Sequence, residues 1–137
     1  MAEHTFKLEV ITPDRVVVSD GGVVSVVAPG SEGYFGVLAN HAPMMAELRI
    51  GELAFRRADG TSAIMAVGGG FLQVFENSVS VLAECAELAN EIDVQRAEQA
   101  KKRAEERLAA GGPNVDAARA EAALERALNR LHVAARA

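Results

Sequence analysis

Hydrophobic and polar positions alternate at the start of the chain. The apolar residues Phe6, Leu8 and Val10 are separated by single polar residues. A period of two is typical of a β-strand with one face in a core and the other in water. Three later segments are more continuously apolar, as expected of strands covered on both faces: residues 23–28, 63–67 and 71–75.

Turn-forming residues interrupt the apolar runs at six places, namely residues 12–14, 20–22, 29–33, 40–43, 58–61 and 76–78. Spacings of roughly 8 to 15 residues between turn signals indicate hairpins of short strands. We therefore predict eight to ten antiparallel strands in a β-sandwich or flattened barrel.

From Asp93 onward the apolar period changes to about 3.6 residues, which predicts α-helices. Asp93 is a candidate N-cap, and a Gly-Gly-Pro-Asn sequence at residues 111–114 ends the first helix. A second helix is predicted from about residue 115 or 116 to residue 134. Its apolar face would contain Ala117, Ala120, Leu124, Leu128 and Leu131. The short connection predicts an antiparallel helical hairpin, and its Ala-rich faces predict marginal stability for the hairpin alone.

The composition of the chain changes near residue 87. Residues 1–86 hold all five Phe, the only Tyr and thirteen of the sixteen Val, whereas residues 87–137 hold fifteen Ala in 51 positions. We therefore predict a β-sandwich domain over residues 1–86 and a helical hairpin domain over residues 87–137. A chain of 137 residues is too short for two full-sized domains.

Charge and hydropathy exclude several classes of function. Fourteen basic and nineteen acidic residues give a net charge of -5, which opposes binding to a nucleic acid backbone. No apolar run approaches the roughly 20 residues that a membrane span needs, so we predict no direct membrane insertion. The first seven residues carry an acid where a signal peptide has its basic region, so we predict a cytoplasmic protein.

The sequence contains no recognisable catalytic or metal-binding set. Its three histidines and single cysteine are too scattered to predict a metal site. Neither glycine-rich stretch, residues 30–36 or 68–70, is followed by the Gly-Lys-Ser/Thr of a phosphate-binding loop, so both are better explained by turns and close strand packing. We predict a protein that is not an enzyme.

The helical part carries two stripes of arginines. At 100° per residue, each stripe spans only about 40° of its helix. The stripes consist of Arg96, Arg103 and Arg107 on the first helix, and Arg119, Arg126 and Arg130 on the second. Like charges four residues apart are mildly destabilising without an anion. Two explanations stay open, a solvated polar face and a contact with phosphate or with an acidic protein.

Six segments in this order and spacing resemble one family, and together they cover essentially the whole chain. They are residues 6–13, 30–33, 40–43, 68–74, 92–97 and 126–131. On these segments the chain is similar to the epsilon subunits of the bacterial F-type (F1Fo) ATP synthase, whose mitochondrial counterpart is called delta.

The resemblance implies a ten-stranded β-sandwich with a two-helix hairpin. It also implies a non-catalytic subunit of the central rotor that couples gamma to the c-ring during proton-driven ATP synthesis, while alpha and beta carry the catalysis. The implied location is peripheral, on the cytoplasmic face of the bacterial inner membrane within F1. By position, Thr12, His41 and Ala46 would face gamma, and Glu32 and Tyr34 would meet the c-ring. Tyr34 stands where an acid is common in the family.

The resemblance also implies a regulatory hairpin. In the family it folds against the sandwich or extends along gamma to the alpha/beta head, where it blocks ATP hydrolysis. Some members bind ATP on the folded hairpin as a regulatory ligand, although no cofactor is required. The matching positions in this chain are Glu87, Ile92, Asp93, Arg96, Ala97, Arg103, Arg126 and Arg130.

Two other classes of protein remain as alternatives. A stand-alone ligand-binding sandwich with a helical tail would show a pocket with converging polar groups. A coiled-coil adapter would function through its hairpin, and its sandwich would be dispensable. A rotor subunit would instead expose an apolar face that is covered only in a complex.

Overall fold

A computed structural model describes residues 4–137, and the chain divides into two compact units. The sandwich unit ends at Leu88, and the hairpin unit runs from Ala89 to Ala137. The strands of the sandwich unit are β1 Phe6–Ile11, β2 Val16–Gly30, β3 Gly33–Leu38, β4 Met44–Arg57, β5 Ser62–Phe75, β6 Ser78–Ala83 and β7 Ala86–Leu88. The hairpin unit contains a 3₁₀ turn, Ala89–Glu91, and the helices α1 Val94–Ala110 and α2 Ala117–Ala135.

Five of the strands close into a ring. Neighbouring strands pair in the order β1, β6, β5, β4, β2, and β2 pairs back onto β1. The pairing of β1 with β6 is parallel, whereas the other pairs are antiparallel. β3 extends the sheet beyond β2, and β7 pairs with β5 over Met65–Val67.

Residues 4–137 contain seven strands, not the predicted eight to ten, because three of the strands are long and each pairs with more than one neighbour. β2 pairs with β1 over Val16–Val23 and with β3 over Ser25–Gly30. β5 pairs with β7 through its first half and with β6 through its second half. β4 is similarly long and pairs with both β2 and β5. Counting the two halves of these long strands separately gives ten segments, although a turn signal lies inside only one of the three, β2, at residues 20–22.

The bend in β2 lies at Asp20-Gly21-Gly22, where the sequence predicted a turn. The Asp20 carboxylate accepts a hydrogen bond from the Gly22 amide at 2.8 Å and another from Arg57 Nε at 2.7 Å. These two contacts, the Gly22 amide first, lower the pKa of Asp20 below its ordinary value of 3.8. An ion pair therefore holds the bend against the end of β4.

The core of the sandwich unit is formed by inward-facing side chains from all the ring strands. Leu8, Leu53, Met65 and Leu72 are its largest fully buried members. The expectation that residues 71–75 are covered on both faces is wrong, because Phe71 and Phe75 are 50% and 55% exposed. Only the alternate residues of this segment face the core.

The hairpin unit follows the predicted helices closely. The Asp93 carboxylate caps α1 by accepting from the Arg96 amide at 3.1 Å, and Asp116 caps α2 by accepting from the Arg119 amide at 3.0 Å. The two helices pack against each other. Among residues 4–137, no helix is long and apolar enough to span a membrane.

The buried face of α2 overlaps the predicted apolar face in part, since Leu124 and Leu131 of that face are half-buried. Ala120, Ala127 and Val133 are buried, whereas Leu128 is 46% exposed. Leu128 is turned by about 100° around the helix from Ala127, which moves its side chain away from the buried face. The arginine stripe of α2, expected to face away from the packed side, is half-buried at Arg126 and Arg130.

Candidate functional site

Thr12 lies in the turn that follows β1. Its hydroxyl oxygen is 3.3 Å from the amide nitrogens of Asp14 and Arg15 and accepts from both. The Thr12 amide donates to the Arg15 carbonyl at 2.9 Å. These bonds close the turn locally, so Thr12 has a structural role whether or not a partner covers it.

His41 lies at the other end of β1 from Thr12. It belongs to the loop between β3 and β4, residues 39–43. The Asn40 amide of this loop donates to Asn77 Oδ1 at 2.8 Å, and Asn77 Nδ2 donates to the Thr5 carbonyl at 2.9 Å. Because Thr5 precedes β1 and Thr12 follows it, about 20 Å of strand separates the two ends. The three gamma-facing residues predicted by the resemblance therefore do not form one cluster.

Ala46 lies on β4 between these ends, on the side of the strand that faces the core. It stands opposite the fully buried Leu72 and is half-buried. Its neighbour Met45 points outward and is 67% exposed. Met45 is thus the exposed large apolar residue of this strand, and it was missed because the sequence offers no signal for which alternate face is open.

Glu32 and Tyr34, the two residues assigned to the c-ring by resemblance, belong to one hairpin. Glu32 is exposed in the turn between β2 and β3, and Tyr34 follows on β3. The Tyr34 hydroxyl accepts from the Glu52 amide at 3.3 Å, so its ring lies across β4. The Arg49 guanidinium stacks on that ring, 4.9 Å from its centroid. Arg49 therefore adds a cation beside the position where the family commonly has an acid.

An apolar surface patch, formed by Ile11, Phe71 and Leu82, was also missed by the sequence analysis. Phe71 pairs with Leu82 across β5 and β6, and Leu82 pairs with Ile11 across β6 and β1. Phe71 is 50% exposed and Leu82 is 56% exposed. The patch borders a depression of ≈ 390 Å³ that Thr12 and Pro13 also line. Ile11 is 60 positions from Phe71 and 71 from Leu82 in the sequence, so only the strand pairing brings it to them.

Three residues of the proposed nucleotide motif have structural roles in the hairpin unit. Asp93 uses one carboxylate oxygen as the N-cap of α1. Ala97 is 1% exposed, so its methyl group belongs to the buried face of α1 rather than to its surface. Ile92 is half-buried just before the cap. The spacing of these residues is that of a helix start.

The four arginines of the nucleotide set also belong to the hairpin unit. Arg96 and Arg103 are exposed on α1, whereas Arg126 and Arg130 are half-buried on α2. Within residues 4–137, the guanidinium groups of Arg96, Arg103 and Arg126 have no ion pair or hydrogen bond. The remaining member, Glu87, is half-buried on β7 of the sandwich unit and stands opposite Ala66.

Family models match both units of the chain. Residues 5–89 match the ATP synthase delta/epsilon chain beta-sandwich domain, and residues 90–135 match the long alpha-helix domain of the same chain. An ATP synthase epsilon chain from Syntrophomonas wolfei is 48% identical over 131 residues, which span 96% of this chain and 95% of the relative. The epsilon chain of Symbiobacterium thermophilum is 52% identical over 127 residues, spanning 93% of this chain and 91% of the relative.

The fold is also found in a solved structure. A chain in the Euglena gracilis mitochondrial ATP synthase superposes with a TM-score of 0.79 at 24% identity, covering 97% of this chain and 82% of that one. The family matches confirm the resemblance and the sandwich-plus-hairpin fold class predicted from the sequence. The chain therefore belongs to the delta/epsilon chain family of ATP synthase, and it is a non-catalytic subunit of that enzyme.

Proposed function

We propose that this chain works in the central rotor, where its sandwich unit couples gamma to the c-ring during proton-driven ATP synthesis. The observation that carries this proposal is the exposed apolar surface of Phe71, Leu82 and Met45 on the sandwich unit. Soluble monomers rarely leave contiguous apolar patches of this kind in water, because covering them is favourable. A partner surface that stays bound through each turn of the rotor is the occupant that fits best.

We assign gamma to this apolar side of the sandwich. The patch of Ile11, Phe71 and Leu82 borders Thr12, and Met45 is next to Ala46, so two of the three positions that the resemblance assigns to gamma have an exposed apolar neighbour. Interfaces of this kind gain most of their affinity from a few large apolar side chains near the centre. Phe71 and Leu82 meet that description better than Thr12 or Ala46 does.

We assign the c-ring to the hairpin of β2 and β3. Glu32 is exposed at its turn, and the stacked pair of Tyr34 and Arg49 lies beside it. Exposed charges at the edge of an interface affect association and register more than affinity. This contact combines one acid and one guanidinium. It therefore suits binding to the polar loops of the c-ring without burial of a large apolar area.

The hairpin unit is proposed to regulate ATP hydrolysis by extending toward the alpha/beta head. Its compact form buries Ala97, Ala104, Ala120 and Ala127, which are small side chains. Each contributes less burial free energy than a leucine would, so separating the two helices from each other costs comparatively little free energy. ATP is a suitable regulatory ligand because the half-buried Arg126 guanidinium has no counter-ion among the described residues.

The whole complex would hold this chain at the membrane as a peripheral subunit of F1, on the cytoplasmic face of the bacterial inner membrane. No residue of this chain needs to enter the bilayer for that arrangement, since gamma and the c-ring provide the attachment.

Co-purification tests the rotor proposal. Replacing Phe71 or Leu82 with Glu should reduce recovery of gamma and the c-ring by more than tenfold, because a buried unpaired carboxylate costs several kcal/mol. Val27→Glu is the matched control, since Val27 is 44% exposed on β2 and lies outside the patch. Normal recovery of gamma with both the Phe71 and the Val27 variants would place the gamma contact elsewhere. Loss with both would indicate a folding defect, which thermal unfolding of each isolated chain detects.

An ATP titration tests the regulatory proposal separately. The amide resonances of Arg126 and Arg130 should shift saturably with ATP, and the double variant Arg126→Ala/Arg130→Ala should abolish the shift. Arg107→Ala/Arg119→Ala is a matched control, because it also removes two arginines of the stripes but leaves the proposed set complete. An identical response of both double variants, or no saturation at several millimolar ATP, would contradict nucleotide binding.

A further inference from the structure

Asn77 joins three segments that are far apart in the sequence. Its Oδ1 accepts from the Asn40 amide at 2.8 Å, across 37 residues, and its Nδ2 donates to the Thr5 carbonyl at 2.9 Å, across 72 residues. Its backbone carbonyl also accepts from the Lys7 amide at 3.4 Å. One side chain thus ties the β3–β4 loop to the start of β1.

The backbone conformation of Asn77 is what allows this arrangement. Asn77 and its neighbour Glu76 both have positive φ, 57° and 48°, and they form the two-residue turn between β5 and β6. Such a turn matches the twist of antiparallel strands, and asparagine tolerates the left-handed conformation better than most residues. Glu76 has the same backbone conformation without making the two side-chain bonds, so it serves as an internal control.

The segment held by Asn77 is the one that carries His41. Residues 39–43 join β3 to β4, and Asn40 itself has a φ of 61°. His41, Ala42 and Pro43 are exposed, and Met45 follows with 67% of its surface exposed. A surface loop with its own left-handed residue samples several conformations unless another segment fixes it. The hydrogen bond from Asn40 to Asn77 supplies that restraint.

We propose that Asn77 is a positioning residue for the contact with gamma. Its side chain holds residues 39–43 in the conformation that gamma binds, although Asn77 need not touch gamma itself. This inference rests on the proposed function, in which the side of the sandwich around Met45 faces gamma. A loop that is ordered before binding loses less conformational entropy on association. Without the restraint, only a fraction of the chains hold the loop in the conformation that gamma binds, and the apparent affinity falls in proportion to that fraction.

The restraint is measured in the isolated full chain. Asn77→Gly removes both side-chain bonds but keeps a residue that accepts a positive φ, so the turn survives. The solvent-exchange rate of the Asn40 amide, followed by NMR, should rise on the order of tenfold in Asn77→Gly. Glu76→Gly should leave this rate unchanged. Asn77→Asp keeps an oxygen acceptor for the Asn40 amide but replaces the donor to the Thr5 carbonyl with an oxygen, so its rate should lie between those of Asn77→Gly and the unsubstituted chain.

The functional consequence is measured as binding to the alpha/beta/gamma complex of the same enzyme, prepared without this chain. Asn77→Gly should bind on the order of tenfold more weakly, whereas Glu76→Gly should bind within about twofold of the unsubstituted chain. Asn77→Asp should bind with an affinity between these two. Binding is compared well below the unfolding midpoint of each variant, so that a loss of global stability does not enter.

Met45→Glu separates failure of the inference from failure of the proposed interface. If Met45→Glu weakens binding while Asn77→Gly does not, the interface stands and the positioning role of Asn77 is wrong. If Met45→Glu binds normally, the gamma contact lies elsewhere, and both the interface and the role of Asn77 are wrong. A Glu76→Gly variant as weak as Asn77→Gly would also overturn the proposal, because the side chain of Asn77 would then not be the restraint.

Discussion

The two units of this chain bury side chains of very different size. The sandwich unit buries Leu8, Leu53, Met65 and Leu72 within a ring of paired strands. The hairpin unit buries four alanines and one valine along its helices: Ala97, Ala104, Ala120, Ala127 and Val133. Because burial free energy scales with apolar area, each leucine of the sandwich contributes about 1 to 2 kcal/mol more than an alanine of the hairpin.

This difference indicates a division of work within one small protein. A unit with a closed ring and a large core resists deformation and can transmit torque between two partners. A unit held by small side chains can leave its compact form at modest cost, which is the property a regulatory element needs. The contrast leads to four predictions, which begin with the interior of the sandwich.

Gly70 is the position where a single methyl group should do the most damage. Its φ is +141°, and an added Cβ would overlap the carbonyl oxygen of Leu82 on the neighbouring strand. Gly70→Ala should therefore lower the free energy of unfolding by about 3 kcal/mol or more, from strain and overpacking together. Urea denaturation of the full chain measures this change.

Gly60→Ala is the control for Gly70→Ala. Gly60 also has positive φ, +89°, but a Cβ there meets no atom within 4 Å. It should cost only the backbone strain, about 1 to 2 kcal/mol. Equal losses at the two positions would mean that the approach of β5 to β6 can relax, and that the ring is less rigid than the strand pairing indicates.

The helix caps should have the largest single-residue effect on the hairpin unit. Asp93→Ala and Asp116→Ala each remove a carboxylate that accepts from the third amide of its helix, and each should destabilise that helix by about 1 kcal/mol. The Cα chemical shifts of residues 94–110 and 117–135 report the loss of helix. Glu121→Ala, an exposed substitution within α2, should leave these shifts unchanged. A sandwich that melts with the caps would show that the two units are one cooperative structure.

The ion pair at the bend of β2 should give the sandwich unit a moderate dependence on acid. The pKa of Asp20 is lowered in the folded state, so its contribution is fully present above the unfolded value of 3.8 and is lost as the pH falls through the lower folded pKa. Asp20→Asn should reduce stability at neutral pH by about 0.5 to 1 kcal/mol and flatten the acid limb of the stability curve. An unchanged slope below pH 4 would assign that limb to other carboxylates.

Removing the hairpin unit should have the smallest effect on the sandwich. A chain that ends at Leu88 keeps the whole β-sheet and its core. It should unfold cooperatively, with a midpoint within about 4 °C of the sandwich transition in the full chain. An aggregated or molten product would mean that the hairpin supplies part of the core, and that the boundary near residue 87 divides one folding unit.

Local signals in the sequence were sufficient for the helices and insufficient for the long strands. Asp93, followed by a 3.6-residue period and a Gly-Gly pair, defines α1 because a cap and its helix are neighbours in sequence. The Asp20-Gly21-Gly22 signal was misinterpreted because a chain reversal and a bend within a strand use the same residues. Only the pairing of β2 with β1 on one side and β3 on the other distinguishes them.

The candidate surfaces depended even less on local signals. Alternation shows that β5 has two faces, but not that Phe71 faces outward beside Leu82, because that requires the register between β5 and β6. Arg49 on β4 reaches Tyr34 on β3 across β2, and Asn77 reaches Thr5 across 72 residues. Family resemblance predicted contacts at Thr12, His41 and Glu32 by position, whereas the residues around them emerged only from the folded chain.

The closed ring of strands has a consequence for how this protein is made. β1 is synthesised first, but its parallel partner β6 ends at Ala83, so the ring cannot close until more than half of the chain has left the ribosome. Contacts between such distant segments slow folding, because the intervening loop must lose entropy before the pairing is gained. The nascent sandwich would thus expose its open strand edges for most of its synthesis, whereas each helix can form from local contacts as soon as it emerges.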